Sequence, residues 1–503
     1  VTVQSSRNQG LRLLGVDADS VNWGWLSDKE RFGFEALNSE DRLTAPMVRV
    51  DDRLETTGWA PALAAATDAL RDADPTRIGV IGGARLTNES QYAWTKLAKG
   101  VLGTDNVDAQ LGDGLPVEAV LGMPRATINQ ACAPGGTVIL VGPDPKEDLG
   151  ALFLRLRHAV VNDGTTLIEL TPTRTGLSTI AAHSLHPKPG EVDLLAAALV
   201  DAVSGDARDA AGVPADAIAA AAAAISGPVT VVLGRASVAE SAAVTVDAAI
   251  ALNRLEGVGF LSALRRGNVH GALDMGMAPG LLPGRVPLNA GCDAFDQVPT
   301  EVGMDTIAML EAAAAGDLDV LVLLGSDPLS DVPDADLAER GLAGAGTVIA
   351  VEMLPNASTL AHADLVLPAA APTEVDGTFT NLEGRVSVAE QKVTPPGTAR
   401  ADWMIAAELA LRLGADLGVE SPESIRAEIA AVSPVHAELT EAALADGRVE
   451  GVLINGSSIE APTVSASTTP ANDAYSLRLV AARRMYDNGT MLQASASSAG
   501  LAV

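Results

Sequence analysis

Two stretches of the chain share a pattern that can hold a ligand. Val138-Ile-Leu-Val-Gly-Pro-Asp-Pro145 and Leu321-Val-Leu-Leu-Gly-Ser-Asp-Pro328 each run an apolar strand into Gly-x-Asp-Pro. Glycine at the strand's end permits a close approach or a positive φ, the aspartate accepts hydrogen bonds, and the proline fixes the exit of the chain. Crevices at the carboxyl ends of parallel strands are where α/β sheets place nucleotides. Gly142, Asp144, Gly325 and Asp327 are therefore the candidate ligand-binding residues. The other reading of these residues is a turn whose aspartate caps the next helix, and the pattern leaves both open. Each loop is followed by a further strand that opens with Thr and carries a glutamate, Glu169 in one case and Glu352 in the other.

Sulfur is scarce. The chain holds two cysteines, Cys132 and Cys292, and six histidines. A cubane iron–sulfur cluster takes four thiolates and a structural zinc site four Cys or His ligands, so neither is expected on this chain. Only His183 and His186 lie close together, in a Pro-containing stretch read as a solvated loop. There is no Gly-x-Ser-x-Gly elbow, Walker-type loop or His-Glu-x-x-His helix, and Ile81-Gly-Gly-Ala-Arg-Leu lacks the third glycine of a dinucleotide fingerprint.

Short β-branched runs punctuate the sequence at 78–83, 137–142, 165–170, 229–234, 320–325, 347–352 and 364–368. Runs apolar on both faces belong in buried parallel sheets. Helical periodicity lies between them at 59–71, 91–102, 149–162, 191–203, 215–224, 238–253, 305–315 and 403–413. This alternation predicts an α/β, doubly wound fold. The repeated strand–loop unit predicts two related sheets, or two halves facing each other across a pseudo-two-fold. Asp376-Gly377 and Glu383-Gly384 bracket Thr-Phe-Thr-Asn-Leu, which reads as tight turns and short antiparallel strands. A Ser/Thr/Pro-rich stretch at 457–473 reads as a linker.

A net charge of −30 and a pI near 4.4 argue against nucleic acid and anionic lipid as partners. The basic pairs Arg265-Arg266 and Arg483-Arg484 form no stripe. The apolar tract at 217–234 is broken by Ser226-Gly227-Pro228 and reads as helix, turn and strand, so no direct membrane insertion is expected. The opening residues show no signal-peptide pattern, and a chain starting at Val1 reads as a fragment of something longer or the product of an alternative start codon.

Val21-Asn-Trp-Gly-Trp-Leu-Ser-Asp-Lys-Glu-Arg-Phe32 and Asp41-Arg-Leu-Thr-Ala-Pro-Met-Val-Arg49 resemble a segment of the molybdopterin oxidoreductase superfamily. The same holds for Arg85-Leu-Thr-Asn-Glu-Ser-Gln-Tyr92, Asn106-Val-Asp108, Asn268-Val-His-Gly-Ala-Leu-Asp-Met-Gly276 and Thr373-Glu-Val-Asp-Gly-Thr-Phe-Thr-Asn-Leu-Glu-Gly-Arg385. With Tyr475-Ser-Leu-Arg-Leu-Val480 and Met485-Tyr-Asp-Asn-Gly489, they are most similar to the branch formed by the G subunits of bacterial NADH-quinone oxidoreductase (respiratory complex I).

The resemblance implies a peripheral-arm subunit that takes part in passing electrons from NADH to quinone. It would sit on the cytoplasmic side of the plasma membrane among other peripheral-arm subunits. The 4Fe-4S and 2Fe-2S clusters of that family lie in an N-terminal region absent here, so no cofactor is expected on this chain. Ser27 stands where some members carry a last cluster cysteine, and a hydroxyl is a poor substitute for a soft thiolate. The stretch after Asn106-Val-Asp108 holds no Cys or Ser to bind molybdenum, and Asp113 reads as a solvated turn residue. Loops 142–145 and 325–328 would be vestiges of those that grip guanine nucleotides in active relatives.

The resemblance also implies a division of the chain. An opening segment covers 1–44, a first α/β unit 45–108 plus 303–432, an inserted second unit 109–302, and 433–503 a linker with the start of a truncated β-rich domain. Two alternatives accompany this reading: an N-terminally truncated molybdopterin enzyme such as a formate dehydrogenase, and a guanine-nucleotide-binding module.

Overall fold

The structure, a computed structural model, describes residues 1–454, 459–462, 475–487 and 489–501. Most of the predicted linker at 457–473 lies outside the described residues. Two sheets dominate. The larger has seven strands in the order Arg53–Thr56, Met47–Val50, Leu365–Pro368, Thr347–Glu352, Val320–Leu324, Ile78–Gly82 and Val107–Asp108. Its first two pairings are antiparallel and the rest parallel. The smaller sheet has five parallel strands in the order Gly259–Ser262, Val229–Leu233, Thr137–Val141, Thr166–Leu170 and His183–Leu185.

Side chains alternate across a strand, so a strand apolar at every position must be covered on both faces. In the five-stranded sheet Ile139, Ile168 and Val231 pack on one face against the helices Val192–Val203, Ala215–Ala223 and Ala242–Leu252. Val138, Leu140, Leu167 and Val232 face Leu152 and Leu156 of helix Gly150–Asn162. The seven-stranded sheet is covered in the same way. Val80, Val322 and Ile349 meet Trp59–Asp72 and Asp402–Leu413, while Ile81, Leu321 and Leu323 meet Thr306–Ala314 and Ala335–Gly344. The architecture is α/β with helices on both faces of mixed and parallel sheets.

Some elements differ from the sequence reading. The predicted helix at 91–102 begins at Asn88 under a Thr87 cap, and from Lys96 to Leu102 continues as a π-helix that brings the Lys99 ammonium to Asp105 at 2.6 Å. The predicted helix at 238–253 starts at Ala242, where Ser241 caps it. His183 lies in the edge strand His183–Leu185 rather than in a loop, while His186, exposed, contacts the carbonyl of Thr171. The strand Gly259–Ser262 has no β-branched residue, and nothing in its own sequence announces it.

The described part of 433–503 contributes one two-residue strand, Val452–Leu453, at the edge of a three-stranded sheet with Gly377–Thr380 and Arg385–Ala389. The described residues from 475 onward form no strand. They run back across the molecule to the opening segment, where the Tyr486 hydroxyl donates to Asp28 and the Ser497 amide to Glu35, both at 2.8 Å. No helix among the described residues is long and apolar enough to cross a membrane.

Candidate functional site

A cavity of about 720 Å³ opens at the carboxyl ends of parallel strands from both sheets. Residues 147–152 and 263–268 line it after strands of the five-stranded sheet, and 85–87, 325–327 and 351–354 at the ends of the seven-stranded sheet. Ser27, from the opening segment, and Arg483, from the returning tail, complete the wall.

The four candidate residues occupy different places. Gly325 (φ 54°) and Asp327 line the cavity, whereas Gly142 and Asp144 lie outside its lining. Gly142 packs so closely that a Cβ would stand 2.8 Å from the Gly234 amide nitrogen. Both aspartates are engaged internally. Asp144 accepts from the amides of Lys146 (3.0 Å) and Gly176 (2.8 Å). Asp327 accepts from the Ser358 amide and hydroxyl and from Ser330 Oγ. Asp144 thus caps the helix that follows it, whereas Asp327 makes no such cap and instead ties its loop to Ser358 at the start of helix Ala357–His362. Of the two glutamates, Glu169 is buried among Thr175 and Ser184, and Glu352 borders the cavity, accepting from the Ser326 amide at 2.6 Å.

Three carboxyl groups around the cavity are shifted upward, while Asp331, beside Arg85 and Arg266, is held below the usual carboxylate range. Burial raises Glu352 well above the usual range, Asp402 to about 7 and Asp148 to about 6.

Asp113 is not a solvated turn residue. It is 5% exposed and receives both arms of the Arg266 guanidinium, at 2.8 and 3.1 Å. The basic pairs that looked scattered in sequence converge here. Arg265 and Arg483 also approach Asp113, and Asp331 gathers Arg85, Arg266 and Arg483. A locally cationic cluster therefore sits at the cavity of a strongly acidic protein. Its one legible trace in the sequence is two Arg-Arg pairs in a chain so poor in cations.

The motifs that carried the resemblance meet in one buried network. Asn88 Nδ2 donates to the hydroxyls of Thr378 and Thr380 at 3.0 Å, and Glu89 accepts from the Thr378 amide at 2.8 Å. Asn268 donates to Leu86 O and Asn88 Oδ1 while its own oxygen accepts from the Thr380 amide. Arg426 closes the network on Glu89 at 3.2 Å. Burying this many polar groups is tolerable because each finds a partner. Asn106 and Asp108 act likewise, accepting from the amides of Met304 and Thr306. Ser27 forms a capping box with Glu30 at the start of helix Asp28–Phe32.

The donor set does not suit a metal. Among the described residues no group of three or more His, Cys, Asp or Glu converges. Cys132 is buried with its thiol pushed up to about 11, which disfavours the thiolate a metal needs. Cys292 packs in a separate cluster around Tyr92 and Phe295. Neither cysteine lines the cavity.

This geometry, a cavity at the strand ends of two α/β sheets over a motif-built polar floor, agrees with the family match. Residues 42–412 match the molybdopterin oxidoreductase family, and the chain belongs to it. Among curated relatives it is 32% identical over 458 residues to the G subunit of NADH-quinone oxidoreductase from Streptomyces coelicolor, covering 84% of this chain and 53% of the relative. It is 28% identical over 484 residues to the alpha subunit of NADPH-Fe(3+) oxidoreductase from Geobacter sulfurreducens, covering 86% and 57%. The chain thus spans about half the length of these relatives. Among solved structures, acetylene hydratase from Pelobacter acetylenicus shares the fold with a TM-score of 0.62 at 15% identity, covering 84% of this chain and 69% of that one.

Proposed function

We propose that this chain is the molybdopterin-oxidoreductase-like part of the G subunit of an NADH-quinone oxidoreductase, acting as framework in a peripheral arm that carries electrons from NADH to quinone. In this reading the two sheets are doubly wound units related by a pseudo-two-fold. The complex lies against the cytoplasmic face of the plasma membrane, and electrons travel through clusters held elsewhere. The observation that carries the reading is the pairing of intact family motifs with a missing donor set. Arg85–Tyr92, Asn268–Gly276 and Thr373–Arg385 are spent on a buried hydrogen-bond network, while the two cysteines stand apart.

Expression of the tagged chain in a bacterium that assembles NADH-quinone oxidoreductase tests this. The expected result is co-purification with peripheral-arm subunits, and iron and molybdenum far below one atom per chain in the isolated product. Stoichiometric molybdenum, or a visible iron–sulfur absorption band from the isolated chain, overturns it in favour of a truncated molybdopterin enzyme.

A further inference from the structure

The cavity has two features that the framework reading leaves unused. The first is Arg265. It reaches Asp113 and Asp487 only at 3.7 and 3.6 Å, beyond hydrogen-bond length, and its Nη1 is buried with no hydrogen-bond partner. A buried guanidinium nitrogen in that condition is costly unless something accepts from it. Arg85 and Arg483 are committed to Asp331 and to backbone carbonyls, and Arg266 gives both terminal nitrogens to Asp113 and Gln110 O, leaving its buried Nε unpartnered, so Arg265 is the member with a terminal nitrogen to offer.

The second feature is an apolar wall. Ile128, Leu152, Ala263 and Leu382 line the cavity and belong to one continuous apolar cluster on the side of the five-stranded sheet. Arg265 follows Ala263 by two positions, so the wall and the cation adjoin. A volume of about 720 Å³ is that of a small-molecule site.

The geometry points to an amphipathic anion as the ligand of this cavity, with an acidic headgroup on Arg265 and an apolar body along Ile128, Leu152 and Leu382. The chain already supplies a stand-in for the headgroup. The carboxylate of Asp487, on the returning tail, lies 3.6 Å from Arg265 and 3.5 Å from Lys29. A phosphate or carboxylate entering the cavity exchanges with that side chain, one anion for another, and Arg265 gains a short charge-assisted bond that Asp487 does not make. This holds whether or not the chain docks into a larger complex.

Titration calorimetry on the 503-residue chain tests it, with inorganic phosphate, octyl phosphate, decyl phosphate, decanoate and GDP, the amphiphiles each below their micelle concentration. One molecule of decyl phosphate or of decanoate is expected to bind per chain. Affinity should rise about fourfold per methylene from octyl to decyl phosphate, because each buried methylene adds apolar contact. Arg265→Gln should weaken decyl phosphate roughly tenfold or more while far-UV circular dichroism stays unchanged, and Asp487→Asn should strengthen it. Affinity independent of chain length, GDP binding tighter than the alkyl phosphates, or folded Arg265→Gln and Asp487→Asn variants that bind like the parent would overturn the assignment.

Discussion

Asn268 donates to the side-chain oxygen of Asn88 at 2.9 Å, joining the segment after the five-stranded sheet to the segment after the strand Ile78–Gly82 of the other sheet. The pair also dictates its surroundings. A Cβ on Gly271 would overlap both asparagine oxygens, so the fourth residue of Asn268-Val-His-Gly271 has to be glycine. This polar pair couples the two sheets beside the apolar contacts that Val269, Ala272 and Met277 make in the core of the seven-stranded sheet.

Replacing Asn268 with Leu takes the acceptor from the Thr380 amide and one of two donors each from the Leu86 carbonyl and Asn88 Oδ1. Leaving one buried amide unpaired and weakening two acceptors should cost about 2–4 kcal/mol, read as a lower urea midpoint. Gly271→Ala is expected to lose a comparable amount through steric overlap.

Asp113→Asn should cost about 2–4 kcal/mol, because the Arg266 guanidinium, 4% exposed, loses the carboxylate it hydrogen-bonds and keeps only Asp331 at 3.8 Å. The double variant Asp113→Leu with Arg266→Met should recover part of that loss, since it removes the hydrogen-bonded pair together, while Arg265 and Arg483 still lose Asp113. Thermal unfolding of the two singles and the double measures the coupling.

Two glycines with nearly equal φ should respond differently to alanine. Gly164 (φ 73°) has open space where a Cβ would go, and Gly164→Ala should cost about 1 kcal/mol for the left-handed conformation alone. Gly384 (φ 80°) faces the Arg125 guanidinium, which a Cβ would overlap. Gly384→Ala should therefore lose about 1–3 kcal/mol more, seen as a lower melting temperature.

Asp402 sets a pH dependence whose sign follows from its environment. Burial raises its pKa from 3.8 to about 7, so between those values the unfolded chain releases a proton that the folded chain keeps. Stability from this group falls as pH rises through that window and levels off above it. Asp402→Asn should gain on the parent from pH 4 to pH 8, by up to about 4 kcal/mol, and differ little at pH 4. Urea denaturation at the two pH values checks this.

The fold was legible where apolar runs and periodicity were strong. Each β-branched run became a strand within a residue of its expected bounds, because Val, Ile and Leu fill both faces, as at Val320–Leu324. The strand Gly259–Ser262 escaped because pairing along Val229–Leu233 places it there, whatever its own weak propensity. The hairpin of Met47–Val50 and Arg53–Thr56 escaped because it turns on Asp51 and Asp52, both with positive φ, instead of on a glycine. At the site, the glycine–aspartate loops and the motifs could be read, but their partners could not. The arginines that surround Asp113 come from distant parts of the chain, and only the fold makes them neighbours.

Because the tail binds Asp28 and Glu35, one corner of the fold is completed by residues translated more than four hundred positions after it. A nascent chain can wind its sheets in turn, yet residues 28–35 keep water as the partner of these carboxylates until 486 and 497 emerge. Closure of that corner is therefore timed by translation of the tail, and a product stalled before 486 would carry it open.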